Sequence, residues 1–221
     1  MENIILQNRK NQKIVGVLEK PTGKVKGTCI VQHGYSGFKE QDHVQVIKNT
    51  FLENGFITFN FDATNSFNES DGEFENATLG LHYEDLEDVV SWAQKQDWFV
   101  GPLALSGHSM GGYAIARYAE EHPQEISILV SVAPVVSGKL NFEAHERFYP
   151  GDLEEWKKKG FKEKVSSARP GVVKRMTWDS MEINGFLLDL MCRGGALWGS
   201  VLPNLPQSQR LKQYVVGGSR R

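Results

Sequence analysis

An alternation most limits what this chain can fold into: solidly apolar runs of strand length keep changing places with segments whose apolar residues recur at helical spacing. Ile14–Leu18 is a short strand closed by Pro21–Gly23, and Gly27–Gln32 is a second, uncharged run ending at His33–Gly34. Val44, Ile47 and Phe51 then recur at i, i+3 and i+7, with Asp42 placed to cap a helix that stops near Gly55. Phe56–Phe61 reads as a strand ending at Asp62, and a polar loop through Asn65, Ser70 and Gly72 leads to a helix over Tyr83–Gln96. Pro102–Leu105, Gly112–Glu121 and Ile126–Ala133 repeat the pattern as strand, helix and strand. Strands with no inside–outside alternation are buried on both faces. The expected fold is therefore α/β, a mostly parallel sheet with helices on both faces.

The 221 residues fit one domain at about 100–200 residues each. The 27 acidic against 25 basic side chains leave a net charge of −2, which carries no electrostatic footprint for nucleic acid or an anionic membrane. Glycines and Pro102 punctuate the longest uncharged stretch, Trp98–Ala116, as they would not a membrane helix. The N-terminus lacks a basic segment followed by a long apolar one, and two cysteines, Cys29 and Cys192, make no disulfide framework. The expectation is a soluble, cytoplasmic protein.

Gly107–His108–Ser109–Met110–Gly111 lies between a predicted strand and a predicted helix, the context required of a G-x-S-x-G nucleophile elbow. The chain must reverse sharply there, leaving no room for side chains beside the serine. The hydroxyl then projects at a helix N-terminus, where a developing anion is favoured. A plain glycine-rich turn, or a phosphate cradle, is the bland alternative. Upstream, His33–Gly34–Tyr35–Ser36–Gly37 follows directly on a strand. Acyl transfer needs two N–H donors on the tetrahedral oxyanion, and the Met110 and Tyr35 backbones are the candidates. His33, Gly34, Gly107, His108 and Gly111 are expected to support the two loops. No metal-ligand spacing is evident, and serine acyl transfer needs no cofactor.

These two motifs, with Asn60–Phe61–Asp62 leading to Glu69–Ser70–Asp71–Gly72, resemble the α/β-hydrolase superfamily, over roughly Ile14 to Glu182. The likeness is to small bacterial serine esterases of the feruloyl/cinnamoyl-esterase and serine-aminopeptidase-like group. It implies Ser109 as nucleophile, Tyr35 and Met110 as oxyanion donors, and a small ester or acyl substrate.

It also implies an acid and then a histidine after the serine, and here the chain departs from the pattern. Its histidines are His33, His43, His82, His108, His122 and His145, so His145 alone follows Ser109 by more than a helix length. Asp152, Asp179 and Asp189 have no strand-end context. Three segments are expected: residues 1–136 as core, 137–182 as a cap-like helical insertion, and 183–221 as an atypical tail. The chain uses 15 lysines and 5 arginines up to Arg175, against 1 lysine and 4 arginines from Met176 onward. The tail also loses the strand–helix alternation, as an altered reading frame beyond Glu182 would, and the final strands are expected to be missing. Two readings stay open: a serine hydrolase, or a pseudo-enzyme that binds acyl ligands or partners.

Overall fold

A computed structural model describes residues 1–166 and 169–181. Its central sheet has six strands: β1 (Glu2–Gln7), β2 (Lys13–Glu19), β3 (Gly27–Gln32), β4 (Phe56–Asp62), β5 (Leu103–His108) and β6 (Ile126–Val132), in the order β1-β2-β4-β3-β5-β6. β1–β2 and β2–β4 pair antiparallel, while β4, β3, β5 and β6 run parallel. Every residue of β3 and β4 is buried, the polar Gln32, Asn60 and Asp62 at their C-terminal ends included. Side chains alternate between faces along β3. Ile30 joins a core with Phe59, Leu105, Leu86 and Ile115, whereas Cys29 and Val31 pack with Val44 and Ala104. The first face is covered by α2 (Leu79–Ala93) and α3 (Met110–Glu121), the second by α1 (Asp42–Glu53).

Several boundaries differ from the sequence expectation for local reasons. β1 was not foreseen: most of its residues are exposed and only Leu6 is buried, so its apolar pattern is faint. Asp42 is not the cap of α1; Gln41 holds that position without a side-chain bond, and Asp42 lies in the first turn, where its charge suits the dipole. α2 begins at Leu79, a turn before Tyr83, because Thr78 caps it by accepting from the Leu81 N–H at 3.2 Å.

The insertion after β6 is mixed rather than purely helical. α4 (Gly138–Phe148) and α5 (Asp152–Lys159) are followed by an antiparallel hairpin, β7 (Phe161–Val165) with β8 (Val173–Thr177). The hairpin strands are mostly exposed and rich in lysine, so no apolar period announces them. Glu155 and Lys159 of α5 form an i, i+4 ion pair at 2.5 Å. The expectations for residues 183–221, the missing final strands among them, lie outside the described residues; among those described, β6 is an edge of the sheet.

Candidate active site

The parallel strands end together at one edge of the sheet, and the loops leaving β3, β4 and β5 meet there. Ser109 is the single residue between β5 and α3, with φ 53° and ψ −112°, a conformation that side chains rarely adopt. The fold pins it on both sides. Its N–H donates to the Val132 carbonyl at 2.9 Å, and its carbonyl accepts from the Tyr113 and Val135 N–H groups at 3.0 and 3.3 Å.

The glycines of the motif are sites of close approach. A Cβ on Gly107 would lie 2.5 Å from the Gly111 backbone, and one on Gly111 would lie 2.4 Å from the Gln32 carbonyl oxygen. A Cβ on Gly34 would meet the Ser109 Cβ at 3.0 Å, so the loop after β3 rests directly against the serine. Met110 opens α3, where the first backbone N–H groups have no partner within the helix. Tyr35 packs with Leu79, Met110 and Tyr113, so the side chains of the two residues named as oxyanion donors belong to one cluster. Tyr35 also lies against Phe74, with ring centroids 4.7 Å apart, and burial raises its phenol above the usual tyrosine range.

His33 and His82 lie behind this cluster. The Ala63 N–H donates to His33 Nε2 at 3.0 Å, so the proton of the neutral ring is on Nδ1, which donates to the Gly34 carbonyl at 2.8 Å. His82 Nε2 donates to the His33 carbonyl at 2.8 Å. Burial lowers His33 to about 4 and His82 to about 3, so both rings are neutral struts at ordinary pH. Asp85 of α2 fixes the next loop, accepting from the Thr64 N–H at 2.6 Å and the Thr64 hydroxyl at 2.8 Å. His108 lies against His43 with centroids 4.4 Å apart and the rings tilted by 55°, and burial lowers both. These supports were only partly legible. His33 and His108 stand in the motifs, whereas Asp85 and His82 are brought in by a helix about fifty residues downstream of β3.

Lys39 anchors the outer side of the loops. Its ammonium pairs with the buried Asp62 at 2.8 Å, with Glu40 at 2.7 Å and with Glu69, while its N–H donates to Asp62 at 2.8 Å. Burial alone would lower Lys39, but these carboxylates outweigh it and raise the group above the usual lysine range.

A small depression opens between the loops, lined by Tyr35, Ser36, Asn65, Ala77, His82 and Met110 among others. The hairpin reaches its rim. Arg169 donates to the Phe67 carbonyl at 2.5 Å and to Asn68, Lys174 donates to the Ser36 hydroxyl at 2.8 Å, and Thr177 and Ser180 bond the Glu75 carbonyl. Lys174 was not singled out in the sequence, where it is one of many lysines. His145 of α4 is engaged by Asp152 at 2.6 Å, and Asp152 also pairs with Lys162. Among the described residues no histidine ring is hydrogen-bonded to Ser109. Asp179 lies two residues past the end of β8, a strand of the hairpin and not of the central sheet, and Asp189 lies outside the described residues.

Residues 23–186 match the model of the family Hydrolase_4, described as serine aminopeptidase, S33. The chain is 29% identical over 138 residues to an uncharacterised 31.7 kDa protein in the traX-finO intergenic region of Escherichia coli, covering 62% of this chain and 47% of that protein. It is 31% identical over 87 residues to the mitochondrial palmitoyl-protein thioesterase ABHD10 of Bos taurus, covering 39% of this chain and 26% of that one. The chain thus spans about half or less of the length of these curated relatives. Among solved structures, Est1E from Butyrivibrio proteoclasticus with bound ferulic acid superposes with a TM-score of 0.64 at 22% identity, over 83% of this chain and 70% of that one. Mouse alpha/beta hydrolase domain-containing protein 10 gives a TM-score of 0.62 at 18% identity, over 87% and 71%. At such identities the likeness to the structures is one of fold.

Proposed function

Because the chain belongs to the serine aminopeptidase-type family of α/β-hydrolases, we propose that it is a serine hydrolase acting on carboxylic esters or related acyl bonds. Ser109 Oγ attacks the acyl carbonyl carbon and gives its proton to a base. The Tyr35 and Met110 N–H groups take up the charge on the carbonyl oxygen. Collapse of the tetrahedral species expels the alcohol or thiol, which takes the proton, and water then hydrolyses the acyl-serine. Residues 137–182 serve as a cap in this scheme, and the substrate is a small ester or thioester. A ferulic-acid complex and a palmitoyl thioesterase among the relatives both concern acyl groups. No helix among the described residues is long and apolar enough to cross a membrane.

The observation that carries the proposal is Ser109 itself, held at positive φ at the start of a helix with Gly34 of the preceding loop against its Cβ. One observation favours a second reading, an acyl-ligand binder without turnover. No described histidine is bonded to Ser109, and His145 is already held by Asp152. Covalent labelling by a fluorophosphonate separates the two. A hydrolase incorporates the probe at Ser109 and loses it in Ser109→Ala, whereas an unlabelled wild-type protein that still binds esters is the binder.

A further inference from the structure

The hairpin carries a row of cations; among the described ones Lys164 and Lys174 have no carboxylate or carbonyl partner, and of these two only Lys174 is bonded to a loop of the site. Arg169 is bonded to the Phe67 carbonyl and Asn68, Arg175 pairs with Glu75 at 3.5 Å, and Lys162 pairs with Asp152. Lys174 has no carboxylate within ion-pair distance among the described residues. Its ammonium donates to the Ser36 hydroxyl at 2.8 Å. Ser36 follows Tyr35, takes φ 57° and lines the depression.

The register makes this placement costly. Lys174 lies directly opposite Lys164, and a like-charged cross-strand pair destabilises a hairpin. Glu163 falls on the other face, because successive side chains alternate. Burial against the loop and the Lys164 charge both pull Lys174 below the usual lysine range. Nothing within the described chain compensates the unpaired ammonium.

We infer that Lys174, with the Ser36 hydroxyl, is the anion-recognising group of this site, and that the preferred substrates are esters whose acyl part ends in a free carboxylate. The Ser36 oxygen accepts from Lys174, which leaves its O–H to donate alongside the ammonium. Two donors carrying one positive charge match a singly charged carboxylate. A dianionic phosphate would require a second free cation, and Arg169 is already spent on Phe67 and Asn68. The inference rests on the depression being the acyl site, but its test does not need turnover.

Calorimetric titrations of the Ser109→Ala protein with monobenzyl glutarate and with the neutral benzyl pentanoate measure the preference directly. The expected result is at least about tenfold tighter binding of the anionic ester, as a charge-assisted hydrogen bond supplies. Adding Lys174→Met should reduce the ratio to near one, while Lys174→Arg retains most of it. Lys164→Met, on the same hairpin, should leave the preference in place and so controls for damage to the fold. Equal binding of the two esters, a preference that survives Lys174→Met, or no binding of either overturns the inference. Failure of the hydrolase proposal reads differently, as an unlabelled wild-type serine with the charge preference intact.

Discussion

A methyl group at Gly111 would sit 2.4 Å from the Gln32 carbonyl oxygen and 2.5 Å from that of His33, with rigid backbone on both sides. Gly111→Ala must therefore push β3 and α3 apart. We expect a loss of about 3 kcal/mol or more, at the upper end of ordinary overpacking, measured by urea unfolding. His33 and His82 add a pH dependence. Both are neutral in the folded protein, at about 4 and about 3, against about 6.5 in an unfolded chain. Between those values the unfolded chain binds more protons, so stability is full above pH ~6.5 and falls as pH drops through the window. Urea midpoints at pH 7.5 and pH 5 should differ by the equivalent of roughly 2–4 kcal/mol, and His82→Gln should flatten that slope. At this scale the sequence was readable where the backbone leaves no room for a side chain, as at Gly107 and Gly111. It was unreadable at Lys174, whose role depends on a hairpin register and on a loop far away in the chain.

Helices and strands were legible in proportion to their burial. β3 and β4 lie wholly inside and declared themselves, whereas β1 and β7–β8 are largely exposed and did not. The start of α2 is hidden in the sequence because its cap, Thr78, lies a turn or more before the period of Leu86, Val89, Val90 and Ala93. Thr78→Ala should cost ~1 kcal/mol of unfolding free energy, and Thr78→Ser should restore most of it. The Lys39 cluster ties α1's approach to the end of β4, with Asp62 fully buried. Lys39→Met would leave that carboxylate without its ammonium, so a loss of about 3–5 kcal/mol is expected from the same measurement. A loss below ~1 kcal/mol would mean that the residue 39 backbone N–H and Asn68, which bond Asp62 at 2.8 and 2.9 Å, suffice without the ammonium.

Among the described residues, the sheet and the insertion are joined by few bonds. The hairpin meets the core loops through Arg169, Lys174, Arg175 and Thr177, and Arg169 also lies over the Phe38 ring at 4.9 Å. Arg169→Ala should speed proteolytic cleavage between residues 160 and 177 while leaving the global unfolding midpoint nearly unchanged. A midpoint that falls with the cleavage rate would mean instead that hairpin and core unfold as one unit. The family match ends at residue 186, close to where the strand–helix alternation is lost in the sequence.

Every contact described for the Ser109 backbone and for Gly34, Gly107 and Gly111 lies between residues 32 and 135. On the ribosome that stretch emerges before any of the hairpin, and at ~5–20 residues per second the difference is a few seconds. Nascent chains arrested just after Val135 has cleared the exit tunnel should therefore present a finished serine turn with no roof above it. The loops after β3 and β4 then spend that interval open to chaperones and to any ligand at hand.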